Sequence, residues 1–355
     1  MKTSDKIRLY FLAFLGRTGI VDIKRLILEG KLKLSPSLAY EFSVGGLGII
    51  IVNEVKRVLE LMPSKARDII FKSAREAGKE STLLLKELFS TGESVYSVDK
   101  ALTVMTNTFG MNRMRGGWRK KIANNKTTGY VNECPFSDII LQEKLPETCM
   151  ICEGFCQGVA DAVEKGSKIE VPKKITKGDR YCEFIITKTI PVKEKYLETK
   201  LNLPLDFIHE FTVKELGRIL IKMGKRIVKA TTPKTYKTIL FWGARDAGVT
   251  IGEMMKKLGI KDGLNAVEAG TVLFAQSSRM DRLQIKISER ENIGRVFMCP
   301  WSSIMIKNKL PEACILCEGF CQGVADAMAK SCIAKIPKKM TKGCEYCEFI
   351  YRKVK

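Results

Sequence analysis

"LPETCMICEGFCQGVADA" fills residues 145–162, and "LPEACILCEGFCQGVADA" fills residues 310–327. Both hold three cysteines at Cys-x2-Cys-x3-Cys spacing, offset by 165 positions. The match spreads well beyond them: "KRLILEGKLKLSPSLAYEFSV" (24–44) faces "KEKYLETKLNLPLDFIHEFTV" (193–213), and Ala74-Arg75-Glu76-Ala77-Gly78 faces Ala244-Arg245-Asp246-Ala247-Gly248. The chain is therefore duplicated over nearly its whole length.

Copies of about 160 residues are too long for solenoid repeats, whose units run roughly 20–50 residues. At 355 residues the chain has the length for two cores. We expect an N-terminal extension (1–23), a first domain (24–188), a linker region (189–206) interrupted by Pro191 and Pro204, and a second domain (193–355) whose start overlaps that linker. An intramolecular pseudo-dimer is the simplest arrangement.

Within each copy, helical patterns come first and strands later. "KELGRILIKMGKRIVKA" (214–230) sets Leu216, Ile219, Leu220, Met223 and Ile227 on one helical stripe. "RLQIKIS" (282–288) alternates Leu283, Ile285 and Ile287 with polar residues, which predicts a strand with those three facing the core. The expected class is α+β, a helical layer packed on an antiparallel sheet in each domain.

A composition of 45% hydrophobic and 28% charged residues suits a globular chain. The +22 formal charge makes an anionic surface or nucleic acid a candidate partner. Arg113, Arg115, Arg119, Lys120 and Lys121, gathered around Trp118, would form that patch, but the second copy interleaves acids there. The first 23 residues read as a short helix, and no membrane span is expected. For a cytoplasmic chain, twelve cysteines point to metal or chemistry rather than disulfides.

Five cysteines keep their spacing between copies: Cys134, Cys149, Cys152, Cys156 and Cys182 face Cys299, Cys314, Cys317, Cys321 and Cys347. The other two, Cys332 and Cys344, face Ser167 and Asp179. On one helix, offsets of three and seven fall within about 60° of one face, yet the ends of that stripe lie about 10 Å apart along the axis. Both ends cannot reach one zinc at about 2.3 Å. A single ion would take two of the three, with other sulfurs arriving from elsewhere, unless the segment is partly a loop around Gly154. Cys182 shares a strand face with Phe184 and Ile186 and is the natural donor from the sheet.

Structural zinc takes four thiolates, and an iron-sulfur cluster also uses four cysteines, so five per copy leave one over. The candidate metal ligands are Cys149, Cys152, Cys156 and Cys182, with Cys314, Cys317, Cys321 and Cys347. The spare is expected to be Cys134 in "ECPFS", with Cys299 in "MCPWS", and these two are the candidate nucleophiles. A nucleophilic cysteine needs a base or a lowered pKa. The single histidine, His209, faces Tyr40, so no Cys/His pair is common to both copies. Glu153, Glu318, Asp161 and Asp326 do recur. Trp118, Trp242, Trp301, Phe155 and Phe320 are expected in the core or lining a pocket.

The succession "AREAG", "ECPFS", Cys with a following Gly-x3-Gly, and "TKGDRYCEFII" resembles the 4-vinyl reductase domain family, also described as predicted hydrocarbon-binding proteins. The Cys-Pro start and the Gly-x3-Cys-x-Phe end are similar to the L-2-amino-thiazoline-4-carboxylate hydrolase family. The first resemblance implies an α+β module that holds a small apolar molecule and, in several sensors, a zinc. The zinc ligands it implies are Cys149 and Cys182, with Cys314 and Cys347, and its two middle ligands are missing from "EVPKKITKG". The functional expectation is a binding or sensing protein for a small apolar ligand with a thiolate zinc site in each repeat. Its alternative is a hydrolase of the aminothiazoline type or an iron-sulfur redox protein.

Overall fold

The computed structural model describes residues 23–29, 34–89, 98–109, 118–123, 125–188, 195–199, 204–260 and 262–354. The readings made for the first 22 residues and for Arg113 and Arg115 lie outside these. Arg119, Lys120 and Lys121 lie on strand β1 (Trp118–Ala123).

The chain forms two compact units that are out of step with the sequence repeat. One spans residues up to Leu61 together with Val228–Lys355, and the other spans Met62–Ile227. Each unit thus contains the first long helix of the other copy, and the boundary expected near residue 190 does not separate them.

In the Met62–Ile227 unit, α3 (Pro63–Phe89), α4 (Val98–Thr108), α6 (Cys149–Val163) and α7 (Leu205–Ala230) accompany an antiparallel sheet. Its strands are ordered β3 (Lys168–Lys173), β4 (Cys182–Thr187), β2 (Lys126–Val131), β1 and β5 (Lys195–Thr199). The fifth strand comes from the expected linker, where Lys195–Thr199 pairs along β1. The short α5 (Ser137–Gln142) lies between β2 and α6.

In the other unit, α2 (Pro36–Leu61), α8 (Pro233–Lys257), α9 (Leu264–Ser277) and α11 (Ile315–Met328) accompany a four-stranded antiparallel sheet. The order there is β6 (Asp281–Lys286), β7 (Glu291–Met298), β9 (Cys347–Lys353) and β8 (Cys332–Lys338). The short helices α1 (Ile23–Leu28) and α10 (Ser302–Lys307) complete it. The helix starts follow local chemistry. Pro36 and Pro233 open α2 and α8, and the preceding Ser35 and Thr232 side chains accept the backbone N–H groups of Leu38 and Thr235.

Helix α6 lies against α3 at backbone distance. A Cβ placed on Gly158 would collide with the Arg75 carbonyl, and one on Gly154 with the Phe71 carbonyl. In the other unit, Gly323 and Gly319 meet the carbonyls of Arg245 and Phe241 on α8 in the same way. Only glycine permits such an approach. The seam is closed by an ion pair repeated in both units, Arg75 to Asp161 and Arg245 to Asp326, each at 2.5 Å.

Charge accounts for which long helix enters which unit. On α7, buried Lys222 reaches Glu76 at 3.0 Å and Glu80 at 2.5 Å, while Arg218 bonds Glu80 at 3.0 Å and Glu215 at 2.9 Å. The α2 residues in the repeat positions of Arg218 and Lys222 are Ile49 and Asn53, which offer no positive charge. Buried ion pairs add little net stability but discriminate strongly between partners. The stripe expected on α7 is buried as read: Leu216, Ile219, Leu220, Met223 and Ile227 are all in the core. Helix α2 has the length and composition to cross a membrane, and most of its apolar window is buried inside its unit.

The orientation expected for "RLQIKIS" is reversed. Leu283, Ile285 and Ile287 are exposed, while Arg282 turns inward to pair with buried Glu268 at 2.7 Å. Apolar alternation predicts the strand but not which face is buried when an inward arginine has a buried acid to meet. Trp242 is also exposed, under the Arg245 guanidinium, whereas Trp301, Phe155 and Phe320 are core residues as expected.

Glu54 on α2 is buried beside Gly243, and neither carboxylate oxygen has a well-placed hydrogen-bond donor. Burial holds its carboxyl well above the ordinary range, offset only in part by the nearby Ala244 N–H and by Arg57. A raised carboxylate pKa makes the folded state bind the proton more tightly, so stability falls as pH rises through and above the unfolded pKa. Replacing Glu54 by Met, the residue at its repeat position (Met223), should raise stability at pH 7 by about 1 kcal/mol or more, with the gain shrinking toward pH 4. Urea unfolding at both pH values checks this. Gly158→Ala and Gly323→Ala should each cost about 3 kcal/mol or more, because neither facing carbonyl can retreat from the new methyl. Denaturant midpoints measure that loss.

Candidate metal centre

Three elements of the Met62–Ile227 unit bring four cysteines to the same place. Cys134 sits in the turn after β2, where the Ser137 N–H donates to its carbonyl at 3.2 Å. Cys149 begins α6, directly after a single 3-10 turn, Pro146–Thr148. Cys152 follows one helical turn later, and Cys182 is the first residue of β4. Together with Val131, Phe184 and Ile175, these cysteines line a cavity of about 30 Å³.

The second copy repeats the arrangement. Cys299 follows β7, Cys314 closes the 3-10 turn Pro311–Cys314, Cys317 lies on α11 and Cys347 begins β9. All four line a cavity that is also about 30 Å³.

The fifth repeated cysteine lies outside both cavity linings, although Cys156 hydrogen-bonds Cys152 one helical turn before it. Cys156 and Cys321 are buried on their helices and line neither cavity. They are the far ends of the helical stripe that the axial rise separates from its beginning. Cys134 and Cys299, expected to be spare, are instead members of the converging sets. Pairing of β2 with β4 carries them there: Val131 lies opposite Cys182, so the turn leaving β2 comes over the start of β4. Cys321 belongs to a different group, hydrogen-bonded to Tyr351 near the Arg282–Glu268 pair.

The recurring carboxylates have structural partners. Glu153 pairs with Lys174 at the rim of the first cavity, and Glu318 pairs with Lys339 at the second. Asp161 and Asp326 bind the arginines of the helix seam and also accept from Gln157 and Gln322. Gln157 in turn accepts from the Ile169 N–H and donates to the Ser167 carbonyl, fixing α6 to the strand that follows it. His209 is buried on α7, and no histidine lines either cavity.

Four of the thiols are hydrogen-bonded to neighbouring groups. Cys149 Sγ lies 2.9 Å from the Thr176 hydroxyl, and Cys314 Sγ lies 3.0 Å from that of Thr341. Cys182 and Cys347 accept backbone N–H groups from Ile175 and Met340 at 3.4 and 3.3 Å. Among the described residues, no three His, Cys, Asp or Glu side chains stand in ligand geometry around one point. Ligation would require side-chain rotation from these hydrogen bonds, a change between staggered wells. Burial pushes the Cys182 and Cys299 thiols up to about 12, with backbone N–H groups opposing it in part. Such thiols are poor nucleophiles without a base.

Comparisons with protein-family models, curated proteins and solved structures find no match. The family resemblance rests on the cysteine and glycine motifs themselves.

A raised thiol pKa leaves less thiolate at any pH below it. In the folded, metal-free protein at pH 8, iodoacetamide should modify Cys182 and Cys299 at least about tenfold more slowly than a peptide cysteine. Peptide-resolved mass spectrometry gives the rates, and urea should abolish the difference.

Proposed function

We propose that this chain is a metal-binding protein whose two repeats each hold one zinc-type ion on four thiolates. The sets are Cys134, Cys149, Cys152 and Cys182, and Cys299, Cys314, Cys317 and Cys347. The observation that carries this reading is the convergence, twice, of four cysteines from a turn, a helix start, the next helical turn and a strand start.

The donor set fits the ion chemically. Four thiolates saturate tetrahedral zinc and leave no open position, as in structural sites. Four thiolates on a divalent ion carry two excess negative charges; Lys174 and Lys339 lie at the cavities, each already paired with a carboxylate, Glu153 or Glu318. A cavity of about 30 Å³ suits one ion better than an eight-atom cluster. It is also far smaller than the several hundred Å³ of a small-molecule site. The bound ion would tie the cysteine helix to the sheet in each copy, so that metal loading and fold stability rise together. The intramolecular pseudo-dimer belongs to the same proposal, supported by the exchange of long helices between copies.

Protein purified without oxygen should be colourless and free of sulfide, and when supplied with zinc alone it should hold one zinc per repeat. Cys134→Ser and Cys299→Ser should each lose one of the two ions, whereas Cys156→Ser should keep both. Elemental analysis decides it. Iron with acid-labile sulfide would replace the single-ion reading by a cluster, and folded protein that takes up no metal would overturn both.

A further inference from the structure

The two cysteine sets match residue for residue, but the walls around them do not. The second cavity is also lined by Met280, Met305 and Met340. At the repeat positions of Met305 and Met340 the first copy has Ile140 and Ile175, and the position of Met280 is Arg115, outside the described residues. Ile140 does not reach the first cavity, whereas Met305 reaches the second and places its Sδ 3.7 Å from Cys314 Sγ.

An isoleucine-to-methionine exchange nearly conserves volume, so packing alone is indifferent to it. What it adds is a polarizable sulfur. The Cys314–Met305 separation of 3.7 Å puts the thioether in direct contact with a cysteine of the set.

A second difference runs the same way. In the first copy, Asp179 brings a carboxylate oxygen to the Lys174 N–H at 2.7 Å. In the second copy that position is Cys344, whose N–H bonds the Lys339 carbonyl at 3.3 Å just as the Asp179 N–H bonds that of Lys174 at 3.2 Å, but which brings no carboxylate. Where the first copy has a carboxylate and two hydrocarbon branches, the second has three sulfurs.

Thioethers are neutral, soft donors that zinc rarely uses and copper(I) accepts readily. We propose that the second site, although able to take zinc on its four thiolates, prefers copper(I), a soft monovalent d10 ion, held by Cys314, Cys317 and the Met305 thioether, while the first site prefers zinc. The inference rests on the thiolate reading of both sites and adds a difference in metal between them. A monovalent ion with two thiolates and a thioether also leaves a smaller buried charge than zinc with four thiolates.

The test uses the full chain, reduced, metal-free and under argon, supplied with zinc and with copper(I) buffered by bicinchoninate. Wild type should take one copper and one zinc. The Met305→Ile and Met340→Ile double variant carries the first copy's own side chains and should hold copper(I) at least about tenfold more weakly, with zinc uptake unchanged. Selenomethionine-labelled, copper-loaded protein gives a readout that does not depend on any variant folding: copper-edge X-ray absorption should show a copper–selenium path. Uptake of zinc at both sites, with no copper preference and no copper–selenium path, would overturn the copper assignment alone. Failure to bind either metal would overturn the thiolate reading beneath it.

Discussion

Both cysteine centres depend on the passage of one helix over another at backbone distance. Glycines at 154 and 158, and at 319 and 323, remove the side chains that would otherwise hold α6 off α3 and α11 off α8. Burial of carbonyl edges against Cα atoms leaves no slack, so the height and rotation of the cysteine helix are fixed. Rotation decides that the first two cysteines face the sheet. Height decides that they meet the turn after β2 and the start of β4. The Arg75–Asp161 and Arg245–Asp326 pairs then lock the axial position of each seam.

The long helices obey a different rule. Where α6 and α11 are positioned by shape, α7 is selected by charge, since its arginine and lysine are buried against Glu76 and Glu80. The equivalent face of α2 lacks the arginine and lysine of α7, with Gly46 packed on Phe274, Glu54 buried beside Gly243, and Arg57 alone paired across to Asp246 at 2.5 Å. Duplicated helices have thereby acquired incompatible surfaces. Each fits one setting and would leave charge unpaired, or acid uncompensated, in the other.

The duplication, the α+β class and the helical face of α7 were legible because each rests on periodicity or on direct repetition. The cysteine spacing separates Cys149 from Cys156 through the rise of a helix, and of the two only Cys149 lines the cavity. It did not show which cysteine completes the set. That depends on β2 lying beside β4, a long-range pairing with no local mark in "ECPFS". The pairing of Val131 with Cys182 was the missing link, and a proline after a cysteine at a strand end was its one faint signal. The inward Arg282 was hidden for a related reason, because its partner Glu268 lies on a helix and sequence alternation knows nothing of it.

The exchange of first helices means that the unit of repetition and the unit of folding are out of phase. A change anywhere in residues 36–61 is inherited with the first copy but is felt in the core that encloses the second copy's cysteines. Residues 205–227 are coupled the other way. Neither copy can therefore be trimmed away, or left to decay, while its twin persists as a complete domain. The duplication is fixed by topology, and the two cysteine sets can diverge in chemistry while the halves that carry them remain inseparable.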